Sequence, residues 1–237
     1  MASLARAVED IALAGDPARI HMLRTLMDGR ALTASELARS VGVTPQAASE
    51  HLAGMIAAGV VQVEQQGRHR YHRLATPAVA RMLESVLPAN SGWEPMRPPP
   101  VTGPRDSALR AARTCYGHLA GRLGVALMDA LVTRGYVEST RAACLTTDAG
   151  IALFGRIGIE VASLSRKGGR TDRAFCRPCL DWSERRPHLA GAVGAALCAR
   201  SFEEDWIRRV ESTRAVTVTP KGMRVFRDTI GVRFGAQ

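Results

Sequence analysis

Cysteine and histidine carry the most specific chemistry in this chain. Cys176 and Cys179 form a C-x-x-C pair, a spacing that suits a metal knuckle or a redox couple. There is no second C-x-x-C. Cys115 and His118 stand three apart. On the helix expected there, that spacing puts both side chains on one face. His188 opens a similar segment downstream. Together Cys115, His118, Cys176, Cys179 and His188 are candidate ligands for zinc or another transition metal. Mixed thiolate and imidazole ligation suits Zn²⁺, and the same thiolates are targets for oxidants. Cys144 and Cys198 lie in apolar stretches and are expected to pack as small buried hydrophobes.

These residues sit in a region that repeats itself. His118-Leu119-Ala120-Gly121 returns as His188-Leu189-Ala190-Gly191. Gly124, Ala126 and Leu127 match Gly194, Ala196 and Leu197. The run Val137-Glu138-Ser139-Thr140-Arg141-Ala142 returns as Val210-Glu211-Ser212-Thr213-Arg214-Ala215. Thr147, Gly150 and Phe154 match Thr219, Gly222 and Phe226. Each unit reads helix, β-hairpin, helix. The repeats span about 107–159 and 187–232, with an insert at 160–186 whose Arg166–Arg170 stretch reads as a solvated loop. Two such halves related by an approximate two-fold axis would bring His118 toward His188, and the insert would supply the thiols. The bland alternative is a dimerisation platform. A third possibility is a cleft for an organic effector, lined by Trp182, Phe175, Tyr116 and Phe154, with Arg113 or Arg185 holding an anion.

The elements that position this region begin earlier. Residues 88–105 carry six prolines and two glycines, which forbids a helix and favours an extended spacer. That divides the chain into 1–87, a linker at 88–105, and 106–237. In the first part a short helix ends near Ala14. Asp16 caps the next helix and Pro17 suits its first turn. Ile20, Leu23, Leu26 and Met27 recur at helical spacing before Gly29. A short helix over Ala34 to Val41 turns at Gly42. Thr44-Pro45 then starts a longer helix to Ala58. Val60 to Val63 and Arg70 to Leu74 read as two strands around Gln66-Gly67-Arg68, and Pro77 to Val86 as a closing helix. The fold class is mainly α with small β-hairpins, an α+β chain.

Helix, tight turn, longer helix and two-stranded wing is the layout of a winged helix-turn-helix. Its second helix fits the major groove of double-stranded DNA. Thr44, Gln46, Ala47, Ser49 and Glu50 are expected to face base edges and phosphates there. Arg68, His69 and Arg70, with Tyr71 beside them, form a basic wing tip suited to phosphate or minor-groove contact. His51 is expected to pack or to contact backbone.

The stretch SELARSVGVTPQAASEHLAGMIAAGVVQVEQQGRHRYHRL, with Asp16-Pro17, Arg19 and Leu23 upstream, resembles the DNA-binding core of the ArsR family of bacterial repressors. The resemblance covers a quarter to a third of the chain. It implies a homodimer that reads a palindromic operator and releases it when an inducer binds. Two departures matter. Ser35-Glu36-Leu37-Ala38 lacks the Cys-x-Cys of the family's soft-metal sensors. The final helix, Ala75 to Val86, offers Glu84 but no histidine for the family's other metal site. A sensor must then lie beyond the linker. The remaining alternative is a constitutive DNA binder without an effector.

Composition sets the outer limits. Hydrophobic residues make up 46% of 237, enough for real cores. No apolar run approaches the ~18 residues of a membrane span, and no signal peptide is visible at the start, so a cytoplasmic protein with reduced thiols is expected. The net charge is +10, yet residues 1–87 hold nine Arg against eight acidic residues. The excess charge therefore does not locate the DNA site. No Gly-rich phosphate loop, G-x-S-x-G, H-E-x-x-H or paired-carboxylate motif is present, so no enzyme is expected.

Overall fold

The structure is a computed structural model and describes residues 16–86, 102–139, 144–166 and 176–232. The expected helix before Asp16 and most of the proline linker lie outside these residues. The chain divides into two compact units, Met1–Val101 and Thr102–Gln237.

The first unit begins with α1 (Pro17–Leu26), capped by Asp16, whose carboxylate accepts from the Ala18 N–H at 2.9 Å. Strand β1 (Leu32–Thr33) leads into α2 (Ala34–Val41). Thr33 and Glu36 form a capping box there: each side chain accepts from the other's backbone N–H, which satisfies two otherwise orphan donors. Gly42 takes φ 75° at the end of α2, a left-handed conformation that favours glycine. This makes the tight turn into α3 (Pro45–Ala57). Strands β2 (Val61–Gln66) and β3 (His69–Leu74) pair in register from Val61↔Leu74 to Gln66↔His69. The unexpected β1 joins β3, so the sheet order is β1-β3-β2. Helix α4 (Pro77–Val86) follows. Leu23, Leu26, Leu37, Leu52, Met55, Val60 and Leu83 are fully buried in one core. That core packs α2 against α3 across the Gly42 turn.

In the second unit the linker's end is already structure: the hydroxyl of buried Thr102 donates to the Ser183 carbonyl. Helix α5 (Ser107–Ala111) precedes a hairpin of β4 (Arg113–Cys115) and β5 (His118–Ala120). Then come α6 (Gly121–Thr133), a hairpin of β6 (Val137–Ser139) and β7 (Cys144–Thr146), and α7 (Asp148–Arg156). After α8 (Val161–Arg166) the pattern returns. A hairpin of β8 (Arg177–Leu180) and β9 (Pro187–Ala190) is followed by α9 (Gly191–Glu203). The hairpin β10 (Ile207–Arg209) and β11 (Val216–Val218) comes next, then α10 (Pro220–Val225) and a π turn over Phe226–Ile230.

Like positions do like work in both halves. Thr147 accepts from the Gly150 N–H and donates to the Gly135 carbonyl; Thr219 accepts from the Gly222 N–H and donates to the Asp205 carbonyl. Phe154 and Phe226 are both buried in the shared core. Two sequence expectations need correcting. Each half opens with a hairpin before its helix, so the 160–186 insert contains β8, and the second half starts well before residue 187. The Val137 and Val210 runs also do not correspond. Val137 starts β6 and pairs with Thr146, whereas Ile207 starts β10 and pairs with Val218. Val137 and Ile207, each 1% exposed, are the counterparts. Core burial sets the register, and the Val-Glu-Ser-Thr likeness falls three residues out of it.

Candidate metal centre and nucleic-acid interface

The metal candidates are placed by the two opening hairpins. In the first, Cys115 pairs directly with His118 across the Tyr116-Gly117 turn. In the second, Cys179 pairs directly with His188. The expected helix under Cys115 and His118 is therefore a hairpin. A three-residue spacing brings the two side chains together through a turn instead of a helix face, because directly opposed residues share one side of the ladder. The two halves then meet. One ligand atom from each of Cys115, His118, Cys179 and His188 lies within 4.8 Å of all the others. The two Nε2 atoms of His118 and His188 are 3.0 Å apart, with the rings stacked at 4.9 Å. Both histidines are buried and both cysteines half-buried.

The helices make this approach possible. Gly124 of α6 lies against the His188 Cβ, and Gly194 of α9 against the His118 Cβ. A Cβ at either glycine would collide with the Leu119 or Leu189 carbonyl. Glycine is thus required by the strand carbonyl of the helix's own half, while the opposite half's histidine Cβ would lie at an ordinary contact distance of 3.5 Å.

The thiols are electrostatically unequal. Hydrogen bonds from Cys179, His118 and His188 hold Cys115 far below the ordinary thiol value, against its burial. The bond to Cys115 pushes Cys179 up, and burial adds to it. The pair therefore shares one proton and presents one thiolate. A tetrahedral Zn²⁺ with two sulfur and two nitrogen ligands has ligand–ligand edges of about 3.3 to 3.8 Å. Atoms already within 4.8 Å need only small rotations to reach it. The donor set, two thiols and two imidazoles, fits a closed four-coordinate site and leaves no open position for substrate.

Cys176 does not join them. It is fully buried and bridges to Cys144 in an antiparallel pair. Cys144, through its hydrogen bond to Cys176 and its burial, is held well above the usual thiol range, and Cys176 below it. In a strand, residues three apart point to opposite sides, so the C-x-x-C motif aims its two sulfurs differently. Cys198 is buried and pushed up to about 11 by that burial. The organic-effector cleft loses its lining. Tyr116 is 98% exposed and Phe154 fully buried in the core, and Phe175 lies outside the described residues. Trp182 instead lies under the Arg113 guanidinium, 5.1 Å from its ring centre.

Sequence reading missed the support of the site. Arg113 is not an open anion clamp. It is fully buried and grips Asp181 with two bonds of 2.7 and 2.8 Å. Asp181 also accepts from the N–H groups of Gly121, Ser183 and Glu184. Burial works to raise Asp181, but the Glu184 N–H, the Arg113 charge and the Gly121 N–H outweigh it and keep it ionised. The available signal was Arg-x-Cys, at 113–115 and again at 177–179, which marks β4 and β8 as counterparts.

In the first unit Thr44 caps α3, accepting from the Ala47 N–H. Gln46, Ser49 and Glu50 are exposed and Ala47 half-buried. Gln46 donates to Glu50, and the Ser49 hydroxyl donates to the Pro45 carbonyl. Arg68, His69 and Arg70 are exposed at the wing tip. A groove of about 360 Å³ runs between Ser49, Leu52 and Ile56 of α3 and Arg68, His69 and Arg70, so helix and wing border one space. Tyr71 departs from expectation: it is 6% exposed and turned inward. His51 sits 3.4 Å from the Asp16 carboxylate. No described helix is long and apolar enough to cross a membrane.

Comparison with known proteins agrees with this layout. A helix-turn-helix domain family matches residues 14–64. The chain is 39% identical over 221 residues to the uncharacterized HTH-type transcriptional regulator YdfF of Bacillus subtilis, covering 93% of this chain and 95% of that one. Among solved structures, it is 28% identical to the homodimeric winged helix-turn-helix DNA-binding domain of Mb0332 from Mycobacterium bovis. That match covers 35% of this chain and 74% of the other at a TM-score of 0.32. It is also 28% identical to the cadmium metal-sensor CMTR of Mycobacterium tuberculosis, covering 41% and 95% at a TM-score of 0.30. The chain belongs to the HTH-type transcriptional regulators, with a winged helix-turn-helix in its first unit.

Proposed function

We propose that this regulator is a dimeric repressor whose hold on a palindromic operator is controlled by a transition metal, zinc first, bound in its second unit. The observation that carries the reading is the convergence of Cys115, His118, Cys179 and His188 within 4.8 Å. Each half contributes one thiol and one imidazole from directly opposed strand positions. A metal there would tie the two hairpins together, and α6 and α9 start three residues after His118 and His188. Binding at the site would thus reset both helices. That is a physical basis for coupling, which also requires that DNA binding and metal binding bias the same states.

In the DNA-binding unit, Thr44, Gln46, Ala47, Ser49 and Glu50 would set sequence preference, while Arg68, His69 and Arg70 would supply phosphate affinity. Operators selected from random duplexes provide the test. Arg68→Ala should weaken binding to all sequences alike and flatten its salt dependence, whereas Gln46→Ala should change the preferred sequence. Loss of sequence preference in Arg68→Ala would overturn that division of labour.

Oxidation is the second reading. Cys115 and Cys179 are hydrogen-bonded, half-buried and from different halves. A thiol-reactive signal would act on the pair that the metal uses.

A further inference from the structure

One buried polar atom beside the cluster has no partner among the described residues. His188 is 1% exposed, and its Nδ1 makes no hydrogen bond to any of them. The group facing it is the carboxylate of Asp181, whose Oδ2 lies 3.8 Å away. On the other side of the ring, Nε2 points at His118 Nε2 across 3.0 Å. His188 thus stands between a buried anion and the ligand cluster.

Asp181 is not free to turn away. It is fully buried. Arg113 and the Gly121 N–H hold it from the first half, and the Ser183 and Glu184 N–H groups from its own loop. An imidazole that ligates a metal through Nε2 carries its hydrogen on Nδ1, and in a site closed to water that hydrogen needs an acceptor. A fixed carboxylate favours that tautomer electrostatically even at 3.8 Å, and a shift of about 1 Å makes a full hydrogen bond.

We propose that Asp181 is the positioning residue of the site: it fixes His188 with hydrogen on Nδ1 and the Nε2 lone pair turned toward Cys115, Cys179 and His118. The proposal rests on the metal-binding reading above. It also accounts for the unequal hairpins. The first closes through Tyr116-Gly117, while the second carries a longer loop from Asp181 to Arg186. The extra residues bring in the carboxylate that both halves hold.

The test uses the full chain with ¹⁵N-labelled histidine. In the zinc-loaded protein, long-range ¹H–¹⁵N correlation should show His188 protonated at Nδ1, with a downfield, exchange-protected proton, and metal-shifted at Nε2. Zinc affinity by chelator competition should fall 10- to 100-fold in Asp181→Asn and stay near wild type in Glu211→Gln, which removes an exposed carboxylate outside the site. His188 ligating through Nδ1, or wild-type affinity in Asp181→Asn, would overturn the proposal. If Asp181→Asn does not fold, the wild-type spectrum decides. If the wild type takes up no zinc, the metal reading fails. The positioning role is stated for the loaded site and falls with it, whereas zinc uptake with His188 ligating through Nδ1 overturns the positioning role alone.

Discussion

His118 and His188 are seventy residues apart in sequence, yet their Nε2 atoms face each other across 3.0 Å in a buried site. Each is the directly opposed strand partner of a cysteine. This relationship determines which substitutions the proposed metal site makes sensitive.

The first expectation concerns the thiols. Cys115→Ser and Cys179→Ser should each abolish stoichiometric zinc binding. Cys176→Ser and Cys144→Ser should leave one zinc per chain, because those sulfurs pair with each other in the core. Metal analysis of the four purified variants checks this. Loss of zinc in Cys176→Ser, with Cys179→Ser unaffected, would contradict the assignment.

A second expectation concerns protons. Ligand thiols must be deprotonated for zinc to bind. Hydrogen bonds from Cys179 and the two imidazoles already keep Cys115 as thiolate, while Cys179 retains its proton. Near neutral pH, zinc binding should release about one proton from the pair. Calorimetry in buffers of different ionisation enthalpy reads the number, and a release of two would mean that the metal-free thiols are both protonated.

Stability of the winged helix should fall in acid. Burial lowers His72 below its ordinary value of 6.5, against its hydrogen bond with the Leu32 carbonyl, and the Arg70 charge lowers it further. Above 6.5 both folded and unfolded chains are neutral at this residue, so stability is full. As the pH drops below 6.5 the unfolded chain is protonated first. Stability is then lost progressively down to the depressed folded value. Amide exchange of β2 and β3 between pH 7.5 and 5 should accelerate more in wild type than in His72→Gln. Equal pH slopes would rule out His72 as the cause.

Arg113 should be a stability residue. Arg113→Met leaves the fully buried Asp181 without its cation, a loss of roughly 3–5 kcal/mol. The thermal midpoint of the second unit should drop well below wild type. A change of less than a degree would mean that the carboxylate is neutralised another way.

Much of this was legible in the residues. Asp16-Pro17, Gly42 and Thr44-Pro45 mark helix starts and turns by local chemistry, and the structure places them as caps and as the turn. The recurrence of His-Leu-Ala-Gly pointed to the two histidines that meet. What local pattern could not carry was long-range pairing. Cys176 and Cys179 look like one motif, but a strand sends them to opposite sides, and Cys144 is an antiparallel partner thirty-two residues away. Tyr71 looks like wing tip but falls on the inward phase of β3. The Arg113–Asp181 pair joins residues sixty-eight positions apart, and no spacing rule links them.

The central claim, that the Cys115–His118–Cys179–His188 cluster controls DNA binding, is tested most directly by one titration. The affinity of the purified full chain for a selected operator duplex is measured with and without one equivalent of Zn²⁺, at fixed salt. The account predicts saturation at one zinc per chain and a change in operator affinity of about 5- to 150-fold. Unchanged operator affinity at full zinc occupancy, or no zinc bound at all, would contradict it.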